Sequence, residues 1–590
     1  MDTQLPVDGD QGLALAITGS GGSGAVTAGL ILLAALARAG YYGLLTRSAG
    51  PQIRGGESAA MIRFADRPVA CMGDRFDIFV ALDWNNVSRF VDEIPLDAGS
   101  LILADPAGGP VPEPIARSGA RVLEVPFQVH AKLLPEGRVN MVALGALGAA
   151  IGLPLAALEA GVEQTLGGKA KAVTLVETSI AGLRLGYGPG GDSDAPLPPR
   201  VLDRWNMSGN EAAGLGALRG GLGFVAAYPI TPATEILEWL APRLERLGGA
   251  LLQAEDELAS VNMIIGSSFG GVPSLTATSG PGLSLMMEGL GLAVASETPV
   301  VVVDVQRGGP STGIPTKSEQ SDLNIAVYGL HGDAPHLVLA PLDIRDCVFT
   351  LHWAMRLAEH LQTVAICLSD QTLGQSRALC DPPTPFTGDL RRAAAQAPEP
   401  DAGLPYQRYA ASPDGVSPMA IPGTPGCMYT ADGLEHGPGG TPSAAAADHI
   451  TQLAKRADKL TGFDFGPHWG EVFPAEPGTR PATEHCIVTW GSAAGACREA
   501  AEQLTRAGHP TRVVALRLIA PLQRQALGAA IAGAASVLVV EQNHGAQLFH
   551  YLHAEQALPS EARSLARPGP LPLRPGAIVA AVLHPEAEEV

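Results

Sequence analysis

Four short segments between residues 228 and 307 carry residue types that could bind and transform a small organic acid. They are Tyr228-Pro229-Ile230-Thr231-Pro232, Glu255-Asp256-Glu257, Thr278-Ser279-Gly280-Pro281-Gly282, and Asp304 with Arg307. A buried carboxyl can exchange a proton, and the planar fork of an arginine can bind a substrate carboxylate with two parallel hydrogen bonds. Hydroxyl groups and the backbone N–H groups of the glycine turn would add donors around a cofactor.

Each segment also has a purely structural interpretation, which the sequence leaves open. Thr231 is a suitable N-cap and Pro232 a suitable first residue of a helix. Acids such as Glu255 and Glu257 are favourable in a first helical turn. Arg307 could form a salt bridge with a neighbouring acid. The functional interpretation therefore depends on whether the segments meet.

The elements around these segments predict that they do meet. Short apolar runs, typical of buried parallel strands, precede the segments within a domain predicted over residues 201–380. They cover residues 223–228, 250–253, 274–278 and 300–305, with a further run at 363–368. Ligands of open α/β sheets bind at the carboxyl ends of the strands. The sequence therefore predicts that the four segments share one edge of a parallel sheet.

The rest of the chain predicts two more domains of the same class. Residues 11–195 alternate strand-length apolar runs with helical patterns and end in a Gly/Pro-rich linker at 186–200. Residues 381–480 form a predicted extended connector, since ten of the fifty residues from 381 to 430 are proline. Residues 484–585 predict a third unit. The fold class is therefore α/β, with three parallel-sheet domains.

Composition excludes several classes of function. The chain has 590 residues, of which 46% are hydrophobic and 17% charged, and its formal charge of −20 repels nucleic acid and anionic membranes. The acidic start lacks the features of a secretory signal, so a cytoplasmic location is expected. With no C-x-x-C pair and no H-E-x-x-H, no metal site is predicted on this chain alone.

Two glycine-rich loops near the N-terminus give weaker signals. Residues 19–24 satisfy G-x-G-x-x-G, yet the following strand ends in Thr46 and Arg47 without the acid that holds a dinucleotide ribose. A nicotinamide site, another phosphate-bearing ligand and a structural turn all remain open. The loop at residues 50–58 presents Arg54 and Glu57, either to a ligand or partner or as an internal ion pair.

The segments together resemble a known family. Residues 209–211, 228–232, 255–262, 277–287 and 303–322 resemble the α subunit of 2-oxoacid:ferredoxin oxidoreductases, most like the 2-oxoglutarate branch. Residues 13–58 resemble its γ subunit, although Ser23 stands where that glycine loop commonly has Gln. Trp490-Gly491-Ser492 and Glu541-Gln542-Asn543-His544-Gly545 are similar to its transketolase-C-like domain. The chain thus resembles a γ–α fusion, with a Rossmann-like γ domain, a thiamine-diphosphate pyrimidine-binding domain and a transketolase-C-like domain.

The resemblance implies roles for individual residues. Glu257 would contact the aminopyrimidine of thiamine diphosphate and act catalytically, with Glu255 as the alternative. Thr231 and Arg307 would bind the 2-oxoacid. Tyr228, Pro229, Ile230 and Gly280 would line the cofactor site. Arg54 and Glu57 would belong to a coenzyme A or interface loop.

The resemblance also implies a partner. No Gly-Asp-Gly segment is present to hold the metal of thiamine diphosphate, so a separate β subunit is expected to bring Mg²⁺, the diphosphate half of the site and a 4Fe-4S cluster. The expected activity is coenzyme A-acylating 2-oxoglutarate:ferredoxin oxidation by a heterodimer or a dimer of heterodimers. Pyruvate or a branched-chain 2-oxoacid is the alternative substrate, and an NADP-binding reductase or a non-catalytic scaffold is the alternative class.

Overall fold

The computed structural model describes residues 12–50, 56–168, 172–188, 204–397, 405–474 and 485–584. The strands, in chain order, are β1 (Leu13–Gly19), β2 (Tyr42–Ala49), β3 (Ser58–Ala65), β4 (Ile78–Ala81), β5 (Leu101–Ala104), β6 (Arg121–Glu124), β7 (Trp205–Ser208), β8 (Phe224–Ala227), β9 (Ala250–Gln253), β10 (Ser274–Thr278), β11 (Val300–Gln306), β12 (Leu337–Leu339), β13 (Val364–Asp370), β14 (Arg377–Cys380), β15 (Gly470–Phe473), β16 (His485–Trp490), β17 (Thr511–Leu516), β18 (Leu518–Ala520), β19 (Ser536–Glu541) and β20 (Arg563–Ala566).

The α-helices, in the same order, are α1 (Ala25–Arg38), α2 (Glu113–Ala116), α3 (Phe127–Lys132), α4 (Val139–Ala150), α5 (Leu155–Leu166), α6 (Ala172–Tyr187), α7 (Gly209–Arg219), α8 (Thr234–Arg246), α9 (Glu257–Phe269), α10 (Gly280–Ala295), α11 (Leu323–Tyr328), α12 (Ile344–Leu361), α13 (Gln371–Gln375), α14 (Ala446–Thr461), α15 (Ala493–Arg506), α16 (Arg524–Ile531), α17 (Gln547–Ala554) and α18 (Pro575–Leu583). None of those within the described ranges is long and apolar enough to cross a membrane.

The chain divides into two compact units, and the first is built on a mixed sheet. This unit comprises residues 1–208, 375–382 and 571–577. Its eight strands are ordered β6-β5-β4-β1-β3-β2-β14-β7. Strands β1, β4, β5 and β6 are parallel, whereas β3 runs antiparallel between β1 and β2. Apolar runs at residues 13–18, 42–46, 78–82 and 101–104 predict β1, β2, β4 and β5, and the structure confirms them. Strand β3 was not predicted; it separates β1 from β2 and departs from the doubly wound nucleotide-binding order.

The second unit contains the sheet that carries the candidate site. Its order is β18-β12-β13-β11-β10-β8-β9, parallel throughout except for β18. Along β11, Val300 and Val302 belong to one apolar core and Val301, Val303 and Val305 to another. Burial on both faces explains why this strand is apolar from Val300 to Val305 except for Asp304. The five strands predicted from the sequence are confirmed, while β12, with only three residues, was missed.

A third sheet completes the second unit, with the order β15-β17-β16-β19-β20. It is joined to the second sheet by β18, which pairs antiparallel with β12, and by a shared apolar core. The sequence predicts strands at residues 487–490, 512–516 and 537–541 and helices near residues 494–506 and 524–531. These five elements are confirmed within a few residues as β16, β17, β19, α15 and α16. The α/β fold class with largely parallel sheets is therefore confirmed for the part of the chain that the structure describes.

The predicted connector contains more regular structure than its proline content indicates. Residues 446–461 form helix α14, and residues 470–473 form strand β15 against β17. Arg408 and Tyr409, within the proline-rich part, are fully buried. The segment is therefore packed into the second unit, and the domain bounds drawn from the sequence stay a prediction. Most of the predicted linker, residues 189–200, lies outside the described residues.

Candidate active site

The carboxyl ends of β8, β10 and β11 form the edge where the candidate residues lie. Because these strands are neighbours in a parallel sheet, the loops that follow them leave from the same side. Three of the four segments follow these strands directly. The fourth, with Glu257, follows the edge strand β9.

Glu257 is the buried acid of its segment. Its residue exposure is 6%, whereas Glu255 and Asp256 are exposed. Asp256 caps helix α9, because its carboxylate accepts a hydrogen bond from the N–H of Ala259 at 2.7 Å. Capping is therefore done by Asp256, and this leaves Glu257 free for another role.

The Glu257 carboxyl lies against the first turn of α10. A Cβ atom added to Gly282 would lie 2.6 Å from Oε1 of Glu257 and 2.0 Å from Oγ1 of Thr278. A glycine is therefore required at position 282, because two polar side chains approach it closely. The helical spacing of Leu258, Val261 and Ile265 in the sequence predicts that all three face the core. For Leu258 this prediction is wrong, since it is 50% exposed and Glu257 takes the inward position.

Arg307 and Thr231 are brought together. The Nη1 of Arg307 donates a hydrogen bond to the backbone carbonyl of Thr231 at 2.6 Å. Arg307 is 7% exposed, and its buried Nε has no hydrogen-bond partner among the described residues. Burial lowers the pKa of Arg307, and the charge of Asp322 opposes that shift. A guanidinium remains charged in proteins, so this is a buried cation with donors to spare.

The Tyr228–Pro232 segment forms a loop and turn before its helix. Residues 231–233 make the turn, and α8 begins at Thr234 with Ala233 as N-cap. The expectation that Thr231 caps this helix is therefore wrong. The loop is held from below by Asn210, whose Nδ2 donates to the carbonyl of Pro232 at 3.0 Å. Tyr228 is 40% exposed, and Pro229 and Ile230 are half-buried.

A pair of buried carboxyls stands at the same edge. Asp304, at the end of β11, is fully buried, and both its oxygens lack a hydrogen-bond donor among the described residues. Burial, and then the charge of Asp322, raise the pKa of Asp304 well above its usual range. Burial also raises the pKa of Asp322 to about 6. Two neighbouring buried carboxyls disfavour each other's ionisation.

Asp322 packs against the other side of the α10 turn. A Cβ atom on Gly280 would lie 2.6 Å from its Oδ2. The first turn of α10 is therefore flanked by Glu257 at Gly282 and by Asp322 at Gly280. Asp304 is visible in the sequence, because it is the single polar residue of the apolar run 300–305. Asp322 was not singled out, because only the fold brings it beside Asp304.

The glycine loop of the first unit forms a turn and lines a cavity. Ser20 is held by Asp83, whose carboxylate accepts from the Ser20 N–H and hydroxyl, both at 2.9 Å. Gly22 and Gly24 both have φ near +86°. The cavity measures about 980 Å³, and its lining includes both glycines with Lys132, Arg138, Asp83, Glu136, Asn140 and Ser179. The loop is thus a structural turn that also borders open space at the uncapped N-terminus of α1.

The second glycine-rich loop is only partly described. Glu57 is 3% exposed and forms an ion pair with Arg89. Glu57 therefore takes part in an internal ion pair, with a partner that the sequence did not predict. Arg54 lies outside the described residues.

Family models match three parts of the chain. Residues 215–456 match the model described as pyruvate flavodoxin/ferredoxin oxidoreductase, thiamine diP-bdg. Residues 14–188 match pyruvate ferredoxin/flavodoxin oxidoreductase, and residues 478–559 match the transketolase C-terminal domain.

Named relatives span most of the chain. The 2-oxoglutarate oxidoreductase subunit KorA of Mycobacterium tuberculosis is 32% identical over 83% of this chain and 78% of its own. The 2-oxoacid:ferredoxin oxidoreductase 2 subunit alpha of Aeropyrum pernix is 30% identical over 92% of this chain and 93% of its own. The solved 2-oxoglutarate:ferredoxin oxidoreductase from Magnetococcus marinus, with 2-oxoglutarate, coenzyme A and succinyl-CoA bound, is similar with a TM-score of 0.87. It is 36% identical, over 97% of this chain and 99% of that chain.

Proposed function

Because the chain belongs to the 2-oxoacid:ferredoxin oxidoreductase family, we propose that it is the γ–α chain of a coenzyme A-acylating 2-oxoglutarate:ferredoxin oxidoreductase. The reaction converts 2-oxoglutarate, coenzyme A and oxidised ferredoxin into succinyl-CoA, CO2 and reduced ferredoxin. The observation that carries the proposal is the end-to-end similarity to the 2-oxoglutarate enzyme of Magnetococcus marinus, together with a buried acid and a buried guanidinium at one strand edge.

Glu257 is proposed as the catalytic acid of the site. Thiamine diphosphate, when bound, supplies the carbon nucleophile and the electron sink for decarboxylation. Glu257 would hold or release a proton at the aminopyrimidine, for which a carboxyl shielded from water is suited. Its fit is supported by its burial and by the room that Gly282 leaves for its carboxyl at the first turn of α10.

Arg307 and Thr231 are proposed to bind the 2-oxoacid. The bond to the Thr231 carbonyl uses one of the five N–H donors of the guanidinium and fixes its orientation. The remaining donors suit the two oxygens of a carboxylate. Tyr228, Pro229 and Ile230, on the same loop, would border the cofactor.

A separate β subunit is proposed to complete the site with Mg²⁺, the diphosphate contacts and a 4Fe-4S cluster. Exposed apolar side chains on α9, which begins with Glu257, and on α10, which packs against it, support such a partner. They are Leu258 and Met263 on α9 and Leu285 on α10, exposed by 50%, 38% and 49%. An apolar surface beside a buried acid is suited to being covered by another protein. Ferredoxin would then approach the subunit that holds the cluster.

Coenzyme A is proposed to place its phosphates in the cavity of the first unit. Lys132 and Arg138 give this cavity basic side chains, and the N-terminus of α1 offers backbone N–H groups without a side-chain cap. Replacing Arg138 by Ala should raise the KM for coenzyme A severalfold and leave the KM for 2-oxoglutarate unchanged. An unchanged KM for coenzyme A would place its phosphates elsewhere.

The test of the proposed function is anaerobic dye reduction that depends on coenzyme A. The chain is assayed alone and with a co-expressed β subunit, with 2-oxoglutarate, pyruvate and a branched-chain 2-oxoacid. Activity confined to the pair and to 2-oxoglutarate is expected. Preference for pyruvate would support the proposed chemistry but overturn the assignment of 2-oxoglutarate as the substrate. Inactivity with every 2-oxoacid, in a pair that contains thiamine diphosphate, Mg²⁺ and the cluster, would overturn the proposal.

A further inference from the structure

The loop that joins Arg307 to Asp322 is held at its far end by the third sheet. Gln320, near the end of this loop, is fully buried. Its backbone N–H donates to the carbonyl of Gln542 at 2.8 Å, and its side-chain Oε1 accepts from the N–H of Gln542 at 2.8 Å. Its Nε2 donates to the carbonyl of Trp490 at 2.9 Å, and its carbonyl accepts from Nδ2 of Asn543 at 3.1 Å.

The third sheet provides a fitted slot for this one residue. Trp490 ends β16, and Gln542 and Asn543 follow β19, so the slot lies at the carboxyl ends of two parallel strands. Gly491, with φ of +58°, approaches so closely that an added Cβ would lie 2.5 Å from Nε2 of Gln320. The two motifs around Trp490 and Glu541 therefore hold Gln320. This is a structural role, and the proposed reaction does not involve it.

The slot is itself rigidly supported. Glu541 accepts hydrogen bonds from Asn543 at 2.5 Å and from the N–H groups of Leu548 and Phe549 at 2.8 and 3.0 Å. In the same turn, Gln547 donates to the carbonyl of Ser321 at 2.8 Å and accepts from the N–H of Asn324 at 2.8 Å. The loop end is thus fixed at three positions by one side of the third sheet.

From Gln320 the connection continues to the candidate site. Asp322, two residues further on, donates its N–H to Oε1 of Gln306 at 3.0 Å, and Gln306 is the neighbour of Arg307. The carboxyl of Asp322 packs against Gly280 and faces Asp304. The two ends of the loop therefore lie together beside β11, and Gln320 fixes the end that contains Asp322.

We propose that Gln320 is a positioning residue through which the third sheet fixes loop 307–322, and with it the Asp322 carboxyl and the Arg307 guanidinium, for binding of the 2-oxoacid. This inference rests on the proposed function of Arg307. Small displacements of a binding group have large effects on the bound geometry. The alternative is that Gln320 only joins two sheets and affects stability alone.

The test compares Gln320→Leu with a matched variant at another contact of the same two regions. Asp346 of α12 bonds Arg517, which follows β17, with Nε–Oδ2 at 3.0 Å, and neither residue belongs to the loop. In the complex with the β subunit, Gln320→Leu should raise both the KM and the Kd for 2-oxoglutarate about tenfold. The KM for coenzyme A should stay within about twofold. Asp346→Asn should lower thermal stability without changing either constant.

Hydrogen exchange gives a readout that does not depend on turnover. Gln320→Leu should speed exchange across residues 307–322, including the end beside Arg307, whereas Asp346→Asn should not. If Gln320→Leu fails to assemble, Gln547→Ala, which removes only the bonds to Ser321 and Asn324, should raise the Kd for 2-oxoglutarate about threefold. Stability loss with unchanged KM, Kd and loop exchange would overturn the inference.

The Arg307→Lys variant separates this inference from the proposed function. A raised KM in Arg307→Lys with a normal KM in Gln320→Leu and Gln547→Ala would refute the positioning role alone. A normal KM in Arg307→Lys would refute the substrate role of Arg307 itself.

Discussion

Buried acids lie at both ends of helix α10. The acid at one end is paired with cations, whereas the acids at the other end face each other. Just beyond the C-terminal end, Glu297 is fully buried between Lys455 and Lys459, whose Nζ atoms lie 2.5 and 2.9 Å from its oxygens. Burial alone would raise the pKa of Glu297, but the two lysines and Arg408 lower it to about 2. At the N-terminal end, Asp322 and Asp304 face each other, and burial raises the pKa of both.

The helix dipole predicts the reverse arrangement, with carboxyl pKa values lowered at the N-terminal end of α10 and raised at the C-terminal end. A helix N-terminus favours negative charge and a C-terminus disfavours it, by about 0.3–1 kcal/mol at exposed sites. Direct ion pairs and burial therefore outweigh the dipole at both ends. Cations surround Glu297, which binds helix α14 to the segment after α10, whereas Asp304 and Asp322 lack a salt bridge among the described residues. Helix α10 thus has a structural end, held by ion pairs, and an end that is proposed to be the reactive end.

The largest effect is expected at the reactive end, from Glu257→Gln. The variant should lose about 10³- to 10⁴-fold in kcat, because an amide cannot take up and release a proton as the role proposed for the carboxyl requires. Assembly with the β subunit and thermal stability should be unchanged. The exposed Glu255→Gln is the matched control and should retain normal turnover. Near-normal turnover of Glu257→Gln would contradict a catalytic role for Glu257 at the N-terminal end of α10.

At the structural end, Glu297→Gln should act on stability and not on chemistry. The change leaves the buried Lys455 and Lys459 without their counter-charge, which should lower the free energy of unfolding by about 3–4 kcal/mol. Denaturant titration of the complex measures the loss. The exposed pair of Glu113 and Arg117 provides the control, since Glu113→Gln should change stability little. Equal effects of the two variants would contradict a structural role for the Glu297 cluster.

A smaller effect is expected for Arg307→Lys. Lysine keeps the charge but loses the planar fork, so the KM for 2-oxoglutarate should rise about tenfold to a hundredfold with a smaller change in kcat. Steady-state kinetics over a range of 2-oxoglutarate concentrations separates the two constants. A loss confined to kcat would indicate that Arg307 acts on the reaction and not on substrate binding.

The smallest effect is a gain in stability from Asp322→Asn. The folded-state pKa of Asp322 is raised to about 6, so the folded protein retains a proton that the unfolded chain has released, and stability falls as pH rises from about 4 to 6. The rise of the pKa from 3.8 to about 6 corresponds to at most about 3 kcal/mol at pH 8. Because burying the amide of asparagine also costs free energy, the expected gain is about 1–2 kcal/mol at pH 8 and little at pH 4. Unfolding curves at the two pH values, with the exposed Asp333→Asn as control, measure the difference. A loss of stability at pH 8 would show that the charged carboxyl is compensated.

Much of the site followed from residue types and spacing. The strand ends at residues 227, 253, 278 and 306 were located to within a few residues, because apolar runs bounded by glycine and proline are local features. The resemblance then singled out Glu257, Thr231 and Arg307, and the structure brings Thr231 and Arg307 together. Their functional roles stay predictions.

Other features had no local signal. Helix α14 follows a proline-rich stretch, and it is ordered by the contacts of Lys455 and Lys459 with Glu297, more than 150 residues away. The antiparallel strand β3 was missed because its eight residues are buried almost throughout and show no polar–apolar alternation. Leu258 was placed in the core by its helical spacing, yet it is exposed because Glu257 occupies the inward position.

The sequence by itself determined the family, the α/β class and the segments that carry the chemistry, because these depend on residue types at short spacing. Only the tertiary structure decided that Glu257 is buried while Glu255 is not, that Asp322 faces Asp304, and that Gln320 lies in a slot of the third sheet. Burial and charge pairing arise from segments far apart in the chain, and the fold alone brings those segments together.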